Sequence, residues 1–393
     1  MSKAVRIEPD VEFIKELQSV GGDTLKKCYQ CATCSVACPL SPADAPYPRK
    51  EMIWAQWGLK DKLVNDLDIW LCHNCGTCSD LCPRGAKPGD LLSALRNMAY
   101  KNLMEPKIIG KWMSSSKYLP ILIAIPAVLW AFVWFLTTGF AIPEGEIVFG
   151  KVFPGDYTID PIMMLTFFFM LTTFGLGVVK LIKAFQAAPG TFFIGAHEKA
   201  TLWASIKDVL INEVGQHTNF KDCSAGQDKP EDNERFKGHL MLFYGFVALA
   251  ITTGIVAFCH WGGKVVEFIA PAGHTPLPLW APHKLLGNLG AILLIIGLTK
   301  LTRRRMNLDE SKFKSTYYDW FLLGLIWVIG LTGVFCELLR LADVATLAYP
   351  MYYVHLVSVW MLFAYLPWSK LGHVVYRTVA LIYARYIGRV PLG

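Results

Sequence analysis

The chain has 393 residues, of which 53% are hydrophobic and only 18% are charged. Soluble domains carry about 25% charged residues, so this composition indicates that much of the chain lies in lipid. The formal net charge is +7, but the basic residues are spread between long apolar runs, which favours membrane-flanking loops over nucleic-acid binding. The first residues alternate charged and apolar side chains without a continuous apolar stretch, so we expect no signal peptide.

Eight of the 11 cysteines lie in two groups near the N-terminus, each spaced C-x2-C-x2-C-x3-C-P. This spacing is typical of the [4Fe–4S] loops of bacterial ferredoxins, in which the fourth cysteine ligates the other cluster. Zinc sites also use four thiolates, but as two C-x2-C pairs across a long loop, and disulfides are disfavoured in a reducing cytoplasm. The predicted ligands are Cys28, Cys31, Cys34 and Cys82 for cluster 1, and Cys72, Cys75, Cys78 and Cys38 for cluster 2.

Helical patterns surround the two cysteine motifs, at 11–20, between the motifs, and at 89–104. They predict a small helical ferredoxin domain at 1–110. A further amphipathic stretch at 197–215 is interpreted as a linker helix on the membrane surface, and Cys223 and His217 nearby receive no functional role.

Six apolar runs are long enough, or nearly so, to cross a hydrocarbon core of about 30 Å. They lie at about 118–140, 161–185, 239–260, 283–301, 317–340 and 350–369. Lysines and arginines cluster after the second, fourth and sixth runs, which places both termini and the clusters in the cytoplasm by the positive-inside rule. The sequence therefore predicts an all-α protein of the cytoplasmic (inner) membrane, with a six-helix haem b domain at 111–393.

Ionisable residues within membrane spans are costly and usually functional. His355 and His373 are eighteen residues apart, which on one helix is about five turns, so both would project from one face near opposite membrane surfaces. Two stacked b haems need such a pair, because each iron takes a second imidazole from a facing helix. His239 lies at the depth of His373 and is the predicted partner on the inner side.

The partner of His355 on the outer side has two candidates, His283 and His260. His283 is preferred because Gly287 and Gly290 follow it at helical spacing, and we expect their bare face to admit a flat porphyrin.

Both halves of the chain resemble known families. CYQCATCSVACP and CHNCGTCSDLCPRGAKPGD resemble the C subunit of heterodisulfide reductase. HLVSVWMLFAYLPWSKLGHVV resembles the last helix of the respiratory nitrate reductase gamma chain, a dihaem quinol-oxidising membrane protein. The fusion of the two resembles the membrane-bound C subunit of the quinone-interacting membrane-bound oxidoreductase complex of sulfate reducers.

This resemblance implies two [4Fe–4S] clusters and two b haems that exchange electrons between menaquinone and two cytoplasmic flavin and iron–sulfur partner subunits. It further implies a link through those partners to adenylylsulfate reductase, and hence a role in sulfate respiration. His239, His355 and His373 match the gamma-chain ligands. The fourth gamma-chain ligand falls near Leu249 or Ala250, where no histidine stands, which is a second reason to consider His283.

We therefore expect a quinone-linked oxidoreductase subunit that transfers electrons, with the flavin sites on its partners because no nucleotide-binding fingerprint is present. One alternative is the membrane subunit of a heterodisulfide-reductase-type or sulfite-pathway disulfide reductase, whose active site would lie on a partner because this chain has no adjacent Cys-Cys pair. Another is a redox-sensing anchor without catalysis, which predicts no haem.

Overall fold

The computed structural model describes residues 8–43, 46–187, 197–218, 233–310 and 313–392. The protein is 73% helical, and its described residues contain no β-strand. This confirms the predicted all-α class. Cys223 lies outside the described residues.

The N-terminal domain consists of short helices around one longer helix. Asp10 directly precedes its first helix and caps it, because its carboxylate accepts a hydrogen bond of 2.8 Å from the amide of Phe13. The longer helix, α7, is buried along most of its length and forms the centre of the domain. In chain order the helices are α1 Val11–Ser19, α2 Thr33–Val36, α3 Arg49–Gln56, α4 Lys60–Val64, α5 Asp68–Leu71, α6 Thr77–Asp80 and α7 Pro88–Leu103.

Helix α8, Lys107–Met113, crosses the domain boundary predicted at residue 110 and leads into the membrane helices. Among the described residues, six helical segments are long and apolar enough to cross a membrane, and each contains most of one predicted run. Their main helices are α9 Leu119–Thr138, α10 Asp160–Ala187, α12 Glu234–Gly262, α13 Pro282–Met306, α14 Tyr317–Leu341 and α15 Ala345–Tyr365. Helix α11, Leu202–Asp208, continues as a π-helical turn to residue 215 and forms the predicted amphipathic segment.

Helices α12 and α13 pack closely because glycines line their contact. A Cβ atom on Gly290 would lie 2.9 Å from the Ala248 Cβ and 3.1 Å from the Gly245 carbonyl oxygen, and one on Gly287 would lie 3.2 Å from a methyl carbon of Thr252. Small residues of this kind let helix backbones approach in a membrane. The expectation that these glycines leave room for a porphyrin is therefore wrong, because α12 fills that space.

His355 and His373 do not share a helix, contrary to the sequence expectation. Helix α15 is followed by two 3₁₀ turns, Leu366–Trp368 and Lys370–Gly372, and His373 begins the next helix, α16. The proline of the first turn lacks an amide hydrogen and Ser369 is extended (ψ 167°), so the α-helix cannot continue through this segment. Helix α16 spans His373–Tyr386.

The N-terminal domain and the C-terminal segment lie at the same end of the bundle. Arg389 donates hydrogen bonds of 3.2 and 2.7 Å to the carboxylate of Asp68, and both side chains are fully buried. Arg377 of α16 donates to the carbonyl oxygens of Trp70 and Leu71, at 2.9 and 3.4 Å. Because the two segments lie at the same end of the bundle, an even number of membrane spans must connect them, and six spans agree with this.

Candidate redox centres

The eight clustered cysteines converge on two cavities in the N-terminal domain. Four of them line the first cavity together with Arg49 and Arg84, and the other four line the second cavity beside Gly89. Each cavity takes three cysteines from one motif and the fourth from the other, which is the grouping that the ferredoxin rule predicts. The first set is Cys28, Cys31, Cys34 and Cys82, and the second is Cys38, Cys72, Cys75 and Cys78.

The two cysteine loops share an unusual backbone geometry. Gln30 and Ala32 have φ angles of 62° and 69°, and the equivalent residues Asn74 and Gly76 have 51° and 87°. Backbone alternating between left-handed and right-handed conformations turns successive amide groups toward one point and forms a nest, which is common at iron–sulfur sites. In both loops a threonine hydroxyl also lies 3.4 Å from the second cysteine sulfur. The loops are therefore built to surround an anionic centre.

The chemistry of these thiols fits metal clusters. Burial raises the pKa of Cys34 to about 11 and the pKa of Cys38 to about 12, and neighbouring cysteines act in the same direction. The thiolate is the form that binds metal, and four thiolates so close together need a cationic centre to compensate their charge. The donor set and the nests thus fit two [4Fe–4S] clusters.

A third cavity, of about 300 Å³, lies between the N-terminal domain and the membrane helices. One of its walls contains Cys72, His73 and Asn74 of the second cysteine loop, and another contains His239 of α12 and His373 of α16. Its volume is at the lower end of the range for cofactor and small-molecule sites. We call it the interdomain cavity.

His239 and His373 face each other in this cavity with ring centroids 6.2 Å apart. The Nδ1 atom of His239 lies 2.9 Å from Nε2 of His217, and Nδ1 of His373 lies 2.7 Å from the carbonyl oxygen of Lys370. Hydrogen bonding at one ring nitrogen orients an imidazole so that the other nitrogen can bind a metal. Two metal–nitrogen bonds of about 2 Å and two distances of roughly 1 Å from ring nitrogen to ring centre add to about 6 Å, so these two imidazoles could hold one metal ion between them.

His217 is a site residue that the sequence analysis missed. It follows the amphipathic helix, and its ring also lies 5.4 Å from that of Phe243. His217 lies 22 positions before His239 and outside the apolar runs, so no helical spacing relates it to the other histidines. The only signal available was a histidine placed directly after a membrane-surface helix.

Basic side chains predominate around the interdomain cavity. Acidic groups are fewer, and one of them, Asp319, is paired with Lys370 and Arg305. The cavity can therefore accept a group that carries carboxylates. The basic residues on its wall are Arg96, Arg235, Arg304, Arg305, Lys314, Lys370 and Arg377.

The predicted outer site is not assembled as a histidine pair. Nδ1 of His355 lies 3.0 Å from the hydroxyl of Thr332, and Tyr352 stacks beside the ring at 6.5 Å. Within the described residues His283 makes no ring contact with His355, and its buried Nε2 atom has no hydrogen-bond partner. His260 is hydrogen-bonded to Asp156 instead.

Two cysteine cavities, six membrane helices and a half-buried histidine pair define a membrane-bound iron–sulfur protein of electron transport. A family model described as a 4Fe-4S dicluster domain matches residues 24–86, and one described as Citrate utilization protein B matches residues 118–391. The chain belongs to the citrate utilization protein B family. No solved structure matches it.

Curated relatives cover both parts of the chain. The C subunit of the H(2):CoB-CoM heterodisulfide,ferredoxin reductase of Methanothermobacter marburgensis is 38% identical over 108 residues, or 26% of this chain and 58% of that protein. The E subunit of the dihydromethanophenazine:CoB--CoM heterodisulfide reductase of Methanosarcina thermophila is 25% identical over 158 residues, or 38% of this chain and 58% of that protein, and covers membrane sequence. The chain thus spans somewhat more than half the length of these relatives.

These matches confirm the resemblance of the N-terminal domain to the C subunit of heterodisulfide reductase. The relatives are subunits of oxidoreductase complexes, so this chain is expected to act with other subunits. For the membrane domain, the family that matches is citrate utilization protein B, whereas the resemblance of its last helix had indicated a nitrate reductase gamma-like domain.

Proposed function

We propose that this chain is the membrane subunit of a quinone-linked oxidoreductase complex. It carries single electrons between menaquinone and two cytoplasmic partner subunits that contain flavin and iron–sulfur centres. The observation that carries this proposal is the interdomain cavity, which joins the loop of Cys72 to the pair of His239 and His373. A two-electron quinone and a distant soluble enzyme can be linked by one-electron carriers arranged in this order.

The proposed ligands follow the geometry. Cluster 1 is bound by Cys28, Cys31, Cys34 and Cys82, and cluster 2 by Cys38, Cys72, Cys75 and Cys78. A b haem, which supplies reversible one-electron storage when bound, is held by His239 and His373. For the second b haem His355 is the proposed ligand. Neither candidate partner lies against it in the described residues, and of the two His283 is preferred, because its buried Nε2 has no hydrogen-bond partner whereas His260 is bonded to Asp156.

The chain's own side chains prepare the inner haem site. His217 and the carbonyl of Lys370 fix the two imidazole rings, and hydrogen bonds of this kind raise the basicity of the ligating nitrogen. The basic wall of the cavity can pair with the two propionate groups that a haem carries. Phe243 and other apolar residues also line the cavity, and the polarity around a haem is one of the factors that set its potential.

The cellular setting follows from the charge pattern and the resemblance. Both termini and both clusters face the cytoplasm, because basic residues flank the spans on the side of the N-terminal domain. The resemblance to the quinone-interacting membrane-bound oxidoreductase supports a role in sulfate respiration, with adenylylsulfate reductase as the enzyme that the partner subunits serve.

Replacement of His373 by alanine tests this function. We expect the purified variant to lose one b-type absorption band and the quinol-driven reduction of its clusters, while the iron–sulfur absorbance is retained. His260→Ala is the matched control, and it should keep the full haem content because that side chain bonds Asp156. Unchanged haem content in His373→Ala would contradict the assignment.

A second candidate is a membrane subunit of a disulfide reductase, which the relatives named for CoB–CoM heterodisulfide favour. This candidate differs from the first in its partner subunit, which would carry the disulfide-reducing site. Purification of the complex from native membranes, followed by identification of its subunits, separates the two. A redox-sensing anchor is separated from both by the optical spectrum, because it predicts no haem.

A further inference from the structure

Three arginines from three different helices bind one short stretch of backbone. Arg96 of α7 donates to the carbonyl oxygen of Cys72 at 2.6 Å, and Arg235 of α12 donates to that of the next residue at 2.5 Å. Arg377 of α16 donates to the two preceding carbonyl oxygens. Four consecutive carbonyl groups, those of residues 70–73, are therefore held by guanidinium groups. We call these three residues the arginine clamp.

The clamp joins the two halves of the protein at the second cysteine loop. Arg96 belongs to the N-terminal domain, whereas Arg235 and Arg377 belong to the helices that carry His239 and His373. All three arginines line the interdomain cavity beside these histidines. The clamp therefore fixes the loop of cluster 2 at the edge of the cavity, next to the histidine pair.

The clamp also places positive charge beside cluster 2. Guanidinium groups stay protonated at all relevant pH values, so this charge is permanent. The guanidinium group of Arg96 lies 2.6 Å from the carbonyl oxygen of Cys72, and Arg377 donates to the carbonyl oxygens of Trp70 and Leu71, so both charges lie close to this ligand. Reduction adds a negative charge to a cluster, and nearby positive charge favours the reduced form.

Cluster 1 has different surroundings. Its cavity is lined by residues 28–34, 49, 82, 84, 86 and 88, all of which belong to the N-terminal domain. The side chain of Cys31 is exposed, and Arg84 stacks on the exposed ring of Tyr29 at 4.0 Å. Cluster 1 thus lies toward the outer surface of the domain, and cluster 2 lies toward the membrane helices.

We propose that the arginine clamp makes cluster 2 the electron-transfer partner of the histidine-pair centre, by fixing its loop at the interdomain cavity and by raising its reduction potential. Each transfer moves one electron, so the donor is oxidised by one unit and the cluster is reduced by one unit, and no bond forms or breaks. Cluster 1 is then the exchange point with the partner subunits. Arg96, Arg235 and Arg377 are positioning residues in this scheme, which rests on the proposed function.

The test is a redox titration of the full-length protein monitored by electron paramagnetic resonance. Arg96→Gln should shift the reduction equilibrium of cluster 2 about tenfold toward the oxidised form, or about 59 mV for one electron, and leave cluster 1 unchanged. Arg96→Lys, which keeps the charge, should recover most of the shift. Arg84→Gln is the matched control and should affect only cluster 1. The signal that changes in Cys31→Ser identifies cluster 1.

An absent shift, or an equal shift of both clusters, overturns the electrostatic role of the clamp. If Arg96→Gln loses iron, Arg235→Gln is titrated in its place with the same expectation. Rapid freezing after addition of menadiol tests the order in which the two clusters are reduced. The signal of reduced cluster 2 should appear first, and earlier reduction of cluster 1 overturns the scheme. The redox titration needs neither haem nor quinone. A purified protein without haem would therefore contradict the proposed function, and the titration would still test the electrostatic role of the clamp.

Discussion

Replacing Arg389 by methionine tests how the C-terminal segment holds the two-cluster domain. Arg389 pairs with Asp68, and Asp66 and Glu51 lie in the same fully buried group. Lys50 is the other cation, with its ammonium 2.5 to 3.1 Å from each of the three carboxylates. In Arg389→Met this single ammonium faces three buried carboxyl groups, while the methionine preserves much of the side-chain volume.

The expected loss is large because the pair is desolvated. Removing one partner of a buried ion pair typically costs about 3–5 kcal/mol. For a domain of this size, such a loss lowers the unfolding temperature by more than about 10 °C. Burial raises the pKa values of Glu51 and Asp66, so the folded variant takes up protons more readily than the unfolded chain. The destabilisation should therefore shrink as the pH falls toward about 4.

The assay is thermal bleaching of the iron–sulfur absorbance in detergent, at pH 5 and pH 8. The double variant Asp68→Asn with Arg389→Met is the matched control, because it removes both partners and leaves Lys50 to balance the remaining carboxyl groups. It should regain most of the lost stability. Equal unfolding temperatures for the wild type and Arg389→Met would refute the reasoning, as would a double variant no more stable than the single one.

Three further predictions concern other parts of the molecule. Burial raises the pKa of Asp90 to about 6, so about 2 kcal/mol of stability is lost as the pH rises from 4 to 6, and the melting temperature of Asp90→Asn should fall less over this range than that of the wild type. In Gly297→Val the new Cβ would lie 2.6 Å from the amide nitrogen of Leu242, so the free energy of unfolding should fall by about 1–3 kcal/mol or more, as measured by thermal unfolding. Gly254→Val is the control and should not lose stability, because the space around Gly254 is open. Cys82→Ser should alter the paramagnetic spectrum of cluster 1 and leave that of cluster 2 intact; a change confined to cluster 2 would contradict the crossed ligation.

Local patterns in the sequence predicted the parts of the site that depend on local chemistry. The spacing of the cysteines, with the ferredoxin rule, gave the grouping of Cys38 with the second motif, and apolar runs gave the positions of the membrane helices. The predicted start of the last run at residue 350 is five residues late, because Pro350 is tolerated inside α15. The pairing of His239 with His373 followed from one sequence property, namely that both residues lie at the same predicted depth in the membrane.

Features that depend on contacts between distant segments could not be predicted in this way. The proposed face shared by His355 and His373 assumed a continuous helix, which the turns around Ser369 interrupt. The prediction that the glycines after His283 leave space for a cofactor is wrong because the sequence does not reveal that α12 packs there. The arginine clamp joins residues far apart in the chain, and no periodicity identifies it.

The most direct test of the account is the iron and haem content of the purified full-length protein, measured with its reduced-minus-oxidised spectrum. The account predicts about eight non-haem irons with matching acid-labile sulfide, and a b-type alpha band from two haems. Zinc in place of iron, or iron–sulfur centres without any haem band, would contradict the claim that this chain conducts electrons between the membrane and the cytoplasm.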